Sequence, residues 1–394
     1  MNARLILLEL FDAALRAVGG RQRTAEFLRN FKLPGPVAVF AVGKAASAMA
    51  MGARDVLGAA IQTMLVITKH GHSEPELSRD PRVLQLESAH PVPDGSSLAA
   101  GAEFESRLAA LPPDTLPVFL VSGGSSSLVE ALREGVALAD LQALNARGLA
   151  AGWDIASLNA QRAKLSRLKA GGVARMLAGR RALALFISDV PGDDPDVIGS
   201  GLLGRDAGSA DRIERHVIAN IEAAVRAVTN AAHAHGLVLE TDAARFDGNV
   251  DAVAATFLAR LRDCGSDGLV WGGESTVTLP AVHGRGGRNT HLALSMARQL
   301  RANEPWLLLA AGTDGTDGPT GDAGAIVDAG TGDRASIAGC DVERAWREFD
   351  SGTALEGSAD LVHTGPTGTN VGDILIAIKQ SAHSLRGEPL PRML

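Results

Sequence analysis

Short apolar runs recur along this chain at 37–42, 64–68, 83–86, 116–121, 183–188, 237–239, 269–271 and 307–311. Between them lie alanine-rich stretches with apolar residues at helical spacing, such as 45–57 and 249–262. Runs of this length bounded by glycine read as buried strands, and their alternation with amphipathic helices predicts an α/β fold with largely parallel strands. The amino-terminal segment, rich in leucine and interrupted by Glu9 and Asp12, reads as an amphipathic helix. A helix is also expected over 221–236, and the break after its glycine places a domain boundary at 236/237.

Polar glycine loops follow several of these strands. Ser122, Gly123, Gly124, Ser125 and Ser126 follow the 116–121 run, and Gly284 to Asn289 follow the 276–279 run. The loop 312–321 carries Asp314 and Asp317 after the 306–311 run, and 364–370, ending in Asn370, precedes the apolar segment 374–378. Turn formation alone does not demand so many. In open α/β sheets the ligand lies beyond the carboxyl ends of the strands, where these loops are expected. A cleft between two domains is the default binding site for such a chain.

Composition narrows the classes. With 394 residues, two domains are expected, each large enough for its own core. A net charge of −7 and no Lys/Arg-rich run argue against nucleic acid as a partner. The two cysteines, Cys264 and Cys340, have no metal spacing or disulfide pattern and suit a reducing compartment. The amino terminus lacks the basic-then-apolar pattern of a signal, and no run approaches the roughly 18 apolar residues of a membrane span. A cytoplasmic protein with no membrane partner is the expectation.

Lys44 stands where the 37–42 strand gives way to a helix, one of six lysines among 38 basic residues. A cation at the positive end of a helix dipole is unfavourable by up to about 1 kcal/mol, which a bound phosphate or carboxylate would offset. The surrounding sequence is not a Walker A loop, because Ala38 and Ala45 occupy positions that need Gly and Ser/Thr. Arg285 and Arg288 lie in the next glycine loop, where a guanidinium suits bidentate anion recognition, Arg288 being nearer the helix start. Asp189, Asp193, Asp194 and Asp196 follow the 183–188 strand, and Glu274 lies in another glycine loop. Carboxylates there suit Mg²⁺, which takes few protein ligands, although caps and turns explain many such residues. His90 belongs to a turn whose Asp94 caps the next helix. Neither H-E-x-x-H nor G-x-S-x-G occurs. The segment 330–335 matches G-x-G-x-x-[GA], but its preceding strand is short and no clear helix is expected at its end.

Together VGKAASAMA, HPVPDGSS, VSGGSSSL, LSRLKAGG, ISDVPGDD, GGESTV, GRGGRN, GTDGTDGPTGDAGAIVD and HTGPTGTNVGDI resemble the glycerate 2-kinase family, whose carboxyl half is the MOFRL domain and whose members have also been labelled hydroxypyruvate reductases. The resemblance extends from about residue 5 to residue 380. It implies a Rossmann-like domain over 1–236, a smaller α/β domain over 237–394 whose last helix is free to return to the first, and an interdomain cleft. It implies transfer of a phosphoryl group from ATP, with Mg²⁺, to the 2-hydroxyl of D-glycerate, giving 2-phosphoglycerate. Lys44 and Arg288 are then the catalytic residues, Asp193 and Asp317 the metal ligands, and Asp189, Glu274, Arg285, Asp314, Asn370 and the Ser122–Ser126 loop the substrate and nucleotide contacts. Asp314, Asp317 and Asn370 are expected on one wall. An NAD(P)H-dependent hydroxypyruvate reductase and a non-catalytic ligand-binding relative are the alternatives, and both monomer and homodimer stay open. The chain departs from the family pattern at Thr290 and His291, where Gln and Glu are usual, at Gln161, Ala163 and Lys164, and at Gly372.

Overall fold

The computed structural model describes residues 2–150, 155–205 and 212–380, and divides the chain into two compact units. One, the parallel-sheet unit, comprises Val18–Asn220 with Gly368–Val371. The other, the mixed-sheet unit, comprises the residues up to Ala17, Ile221–Thr367 and those from Gly372 onward. The expected boundary at 236/237 lies after helix Ile221–Ala234, whereas the division precedes it. Ile221 explains the difference, because its side chain fills the space left by the missing Cβ of Gly272 in the mixed sheet. The first helix, Ala3–Val18, also goes with this unit over its length to Ala17. Its Arg4 donates to the Ile326 carbonyl at 3.1 Å and pairs with Asp360 at 2.7 Å. The expected last helix lies outside the described residues.

The parallel-sheet unit is built on β1 (Val37–Val42), β2 (Ile61–Lys69), β3 (Val83–Ser88), β4 (Leu116–Val121), β5 (Ala182–Ile187) and β6 (Ile213–Ala219). All pairings are parallel, in the order β3-β2-β1-β4-β5-β6. This is the doubly wound order, whose direction reverses between β1 and β4. Every residue of β1 and of β5 is buried, as strands covered on both faces require. Phe40, Phe104 and Phe119 form part of the core, with ring centroids of Phe40 at 5.2 Å from Phe104 and 5.4 Å from Phe119. Helix Gly95–Ala109 begins where expected, because the Asp94 carboxylate accepts from the Ser96 N–H at 2.8 Å.

The mixed-sheet unit contains β7 (Leu239–Thr241), β8 (Phe246–Asn249), β9 (Gly268–Thr276), β10 (Trp306–Gly312), β11 (Gly324–Val327), β12 (Leu361–Val362) and β13 (Asp373–Lys379). Its order is β12-β11-β10-β13-β9-β7, with β8 also on β9. Here the expectation of largely parallel strands fails: β9, β10, β11, β12 and β13 pair antiparallel, and only β7 and β8 run parallel to β9. A buried apolar run carries no record of its direction, so the sequence pattern cannot separate the two sheets. Helix Arg288–Gln299 lies against β10 and β11, burying Leu292, Leu294 and Met296. No helix among the described residues is long and apolar enough to cross a membrane.

Candidate functional site

The reversal between β1 and β4 opens the sheet at their carboxyl ends, and both Lys44 and the Ser122–Ser126 loop lie there. The two connections are laced together by backbone. The Ser122 N–H donates to the Val42 carbonyl at 3.0 Å, and the Lys44 N–H donates to the Gly123 carbonyl at 3.0 Å. The Ala45 N–H donates to the buried Ser122 Oγ at 3.0 Å, just before helix Ala46–Leu57. Gly43 has φ 130°, and a Cβ there would strike Ser122, so the tight passage into Lys44 requires glycine. Gly124, in turn, lies against the Lys44 side chain and the His90 ring. His90, read as a turn residue, therefore borders this loop.

Asp189 and Asn370 meet beside the same loop, with Asn370 Nδ2 donating to Asp189 Oδ2 at 2.9 Å. A Cβ on Gly123 would overlap both of those atoms. Asn370 belongs to the parallel-sheet unit, whereas Asp314 and Asp317 belong to the mixed-sheet unit. Asp193, held at φ 52°, accepts from Asn220 Nδ2 at 2.6 Å. Its neighbours on the loop serve as braces: Asp194 accepts from the Asp196 N–H at 2.9 Å, and Asp196 accepts from the Arg205 N–H at 2.7 Å.

In the mixed-sheet unit Arg288, the first residue of its helix, pairs with Glu274 through Nη1 and with Asp373 through Nη2 at 3.3 Å. Asp373 is the residue that sequence reasoning missed, although a lone charge between Gly372 and a wholly apolar strand was a usable signal. Asn289 Nδ2 donates to its Oδ1 at 2.9 Å, while Oδ2 makes no hydrogen bond among the described residues. Burial raises its carboxyl to about 7, against the pull of Arg288 and with Glu274 adding to the rise. Arg288 is held above its ordinary value, first by Asp373.

Asp317 is at odds with the metal role expected of it. Its Oδ1 accepts from the Asn289 N–H at 2.9 Å, and its Oδ2 accepts from the Thr290 N–H at 2.7 Å and the Thr290 hydroxyl at 2.8 Å. Both oxygens thus satisfy the orphan donors of the helix that Arg288 begins. Asp314 turns back on its own loop, accepting from the Thr316 N–H at 3.0 Å. Arg285 pairs with Glu356 at 2.6 Å and Asp322 at 3.1 Å, which ties the loop to neighbouring segments. Among the described residues, no group of three or more His, Cys, Asp or Glu side chains is placed to hold a metal ion.

Comparison with known proteins identifies the family in which this geometry occurs. Residues 6–233 match the Domain of unknown function (DUF4147), and residues 268–373 match the MOFRL family. A D-glycerate 2-kinase from Thermotoga maritima is 34% identical, covering 96% of this chain and 98% of that protein. A glycerate 2-kinase from Pyrococcus horikoshii is 32% identical over 90% of this chain and 89% of its own. The chain belongs to the glycerate 2-kinase family. The crystal structure of the Thermotoga maritima glycerate kinase superposes with a TM-score of 0.83 at 32% identity, covering 96% of this chain and 99% of that one. A relative from Agrobacterium vitis, 33% identical over 95% of this chain and 94% of its own, carries the provisional name hydroxypyruvate reductase.

The dinucleotide-like segment 330–335 does not support a reductase in this glycerate 2-kinase family member. A helix, Thr331–Ile337, does open there, contrary to expectation, but β11 before it runs antiparallel to both neighbours. A dinucleotide fold needs that strand parallel, with its loop at the sheet's carboxyl edge. The departures from the family pattern also acquire places. Thr290 caps its own helix with Asp317, and Lys164 donates to Gln161 at 3.1 Å on the surface. His291, 2% exposed, stacks on Phe349 at 4.5 Å between centroids, and neither ring nitrogen has a hydrogen-bond partner among the described residues.

Two outcomes follow from these contacts. Gly123→Ala must displace Asp189 from Asn370, so it lowers the unfolding free energy by about 1–2 kcal/mol in denaturant melts. Asn370→Ala on that background adds little further loss, because the shared hydrogen bond is already gone. Fully additive losses would show that Gly123 does not act through this pair. His291 supplies the second. Burial lowers its pKa, with Asp251 opposing and Arg298 reinforcing, so the unfolded chain takes up the proton first. The stability contributed by the neutral ring is complete above about pH 6.5 and is lost as pH falls from there through the folded-state value. In His291→Phe the drop in melting temperature between pH 7 and pH 5 is therefore smaller than in the wild type; an equal drop would assign the acid limb elsewhere.

Proposed function

We propose that this protein transfers the γ-phosphoryl group of ATP to the 2-hydroxyl of D-glycerate, producing ADP and 2-phosphoglycerate. The observation that carries this reading is the position of Lys44: it stands with the serine-glycine loop at the one point where the parallel sheet reverses, inside a member of the glycerate 2-kinase family. Phosphoryl transfer passes through a loose, charge-rich transition state, so alignment and fixed positive charge supply most of the rate enhancement.

Lys44 and Arg288 are the catalytic cations of this reading. The substrate 2-hydroxyl oxygen forms a bond to the γ-phosphorus as the bond from that phosphorus to the β–γ bridging oxygen breaks, and the hydroxyl proton passes to a carboxylate. Asp189 is the carboxylate we assign to it, because Asn370 and the Gly123 backbone fix its direction. The Ser122–Ser126 loop offers N–H and hydroxyl donors for phosphate or carboxylate oxygens. A bound divalent cation would neutralise charge on the phosphate oxygens and needs only one or two protein carboxylates. Asp193 is the carboxylate we assign to that cation, and Asp317 is set aside because both its oxygens face the helix.

The test is a product-identified assay with ATP, Mg²⁺ and D-glycerate. The expected result is ADP and 2-phosphoglycerate in equal amounts, with Lys44→Ala slower by about two to three orders of magnitude at an unchanged melting temperature. Release of 3-phosphoglycerate would overturn the regiochemistry. NADH oxidation with hydroxypyruvate and no ADP release would make the protein a reductase, and ligand binding without turnover of either kind would make it a non-catalytic relative.

A further inference from the structure

A second polar centre lies behind the serine loop of the parallel-sheet unit. Glu130 and Lys169 are 0% and 1% exposed and form an ion pair. Glu130 is saturated: Oε1 accepts from the Ala131 N–H at 3.0 Å and from the Ser166 hydroxyl, while Oε2 accepts from Lys169. Arg162, near the end of helix Ile155–Leu165, adds a second cation to this one carboxylate. Its Nε donates to Asn145 Oδ1 at 2.7 Å and its Nη1 to Asn159 Oδ1 at 3.3 Å. Among the described residues both partners are neutral amides, and Nη2 donates to no protein group.

This guanidinium is wired to the loop. Asn159 Oδ1 also accepts from the Ser200 hydroxyl at 3.1 Å, and Ser200 Oγ lies 2.6 Å from Ser126 Oγ. Ser200 is held at φ 56°, between two glycines of positive φ, a strained conformation that aims its hydroxyl at that junction. Beside it, Ser125 is fully buried with its hydroxyl unpartnered among the described residues. A cation on the last turn of a helix normally reaches into solvent toward the carbonyl ends. Arg162 is instead drawn inward, where burial pushes its pKa down and Glu130 only partly opposes this. The centre therefore holds two positive charges against one negative, and the uncompensated charge belongs to a fork with unused donors. Such a fork matches a carboxylate bidentately.

We propose that Arg162 is the residue that recognises the carboxylate of the small acid substrate, oriented by Asn145 and Asn159 and coupled to the phosphoryl-transfer loop through Ser200 and Ser126. This rests on the reading of the protein as a glycerate kinase, and it assigns the selection of acid over plain alcohol to a position outside the loop itself. A substrate lacking the carboxylate leaves donors of the half-buried guanidinium unmet, which is the strong form of discrimination.

The experiment is calorimetric titration of the full chain, with a non-hydrolysable ATP analogue present, using D-glycerate and glycerol. Wild type is expected to bind D-glycerate and to bind glycerol at least about a hundredfold more weakly, and Arg162→Gln to lose about a hundredfold in D-glycerate affinity. In turnover, the same variant should raise KM for glycerate and leave KM for ATP and the melting temperature unchanged, which a merely structural arginine would not do. D-glycerate affinity in Arg162→Gln within about twofold of wild type, or equal binding of glycerol by the wild type, overturns the proposal. If Arg162→Gln does not fold, Arg162→Lys decides: charge without the fork should cost about tenfold, and an unchanged affinity refutes the assignment. A panel of small carboxylates separates the two readings. Arg162-dependent binding without glycerate phosphorylation leaves this site standing and removes the kinase assignment, whereas phosphorylation with no dependence on Arg162 does the reverse.

Discussion

The parallel-sheet unit depends on the backbone lacing where β1 and β4 end. Three hydrogen bonds, from Ser122 to Val42, from Lys44 to Gly123 and from Ala45 to the Ser122 hydroxyl, join two connections that start from neighbouring strands but diverge in sequence. Opposite crossover directions leave a gap there, and a gap exposes backbone donors and acceptors that must be satisfied. Satisfying them locally fixes the Lys44 backbone at the start of its helix. The position of that cation is therefore set largely by main-chain geometry, with the Ser122 hydroxyl and the glycine at position 43 completing it.

The mixed-sheet unit solves the equivalent problem with side chains. A distant aspartate, Asp317, caps the helix that Arg288 begins, so the loop 312–321 and the helix start are fixed together although 28 residues separate Asp317 from Asn289. Thr290 contributes a hydroxyl to the same carboxylate. A one-residue change at Asp317 would remove the acceptors that fasten the loop to the helix. The two units thus place their cations by different means, one mainly through backbone hydrogen bonds and one through a few polar side chains.

Much of this was legible in the sequence where a pattern had a single physical cause. Strands β1 and β4 fall where the apolar runs ended, because both are buried on two faces and bounded by turn-forming residues. The helix cap at Asp94 was legible for a similar reason. Strand β6 was not, since its sequence IERHVIA mixes charge into an edge strand with only its last two residues buried. The direction of β9 to β13 was hidden because burial erases the alternation that marks antiparallel sheets. Asp317 and Asp373 show a further limit. Each is an acid near a glycine, and only the fold reveals that one caps a helix and the other lies buried against Arg288. Arg162 carried no local signal, because its course is set by Asn145 and Asn159, which no spacing announces.

Charge around Arg288 is the sharpest electrostatic question in the molecule. Glu274, Asp317 and Asp373 surround one guanidinium, and three ionised acids would give the cluster a net negative charge that repels any phosphate. Burial changes that sum. Desolvation raises the carboxyls of both Asp317 and Asp373, and Asp373, raised to about 7, gives up part of its negative charge near neutral pH, whereas the guanidinium stays charged. The remaining partner, Glu274, is 47% exposed at its side chain and well hydrated when separated from Arg288. An anion competing for Arg288 therefore meets a solvent-screened rival in Glu274 and a buried one, Asp373, whose charge is partly withdrawn. The same desolvation that makes Asp373 costly to ionise is what leaves the Arg288 charge less than fully neutralised.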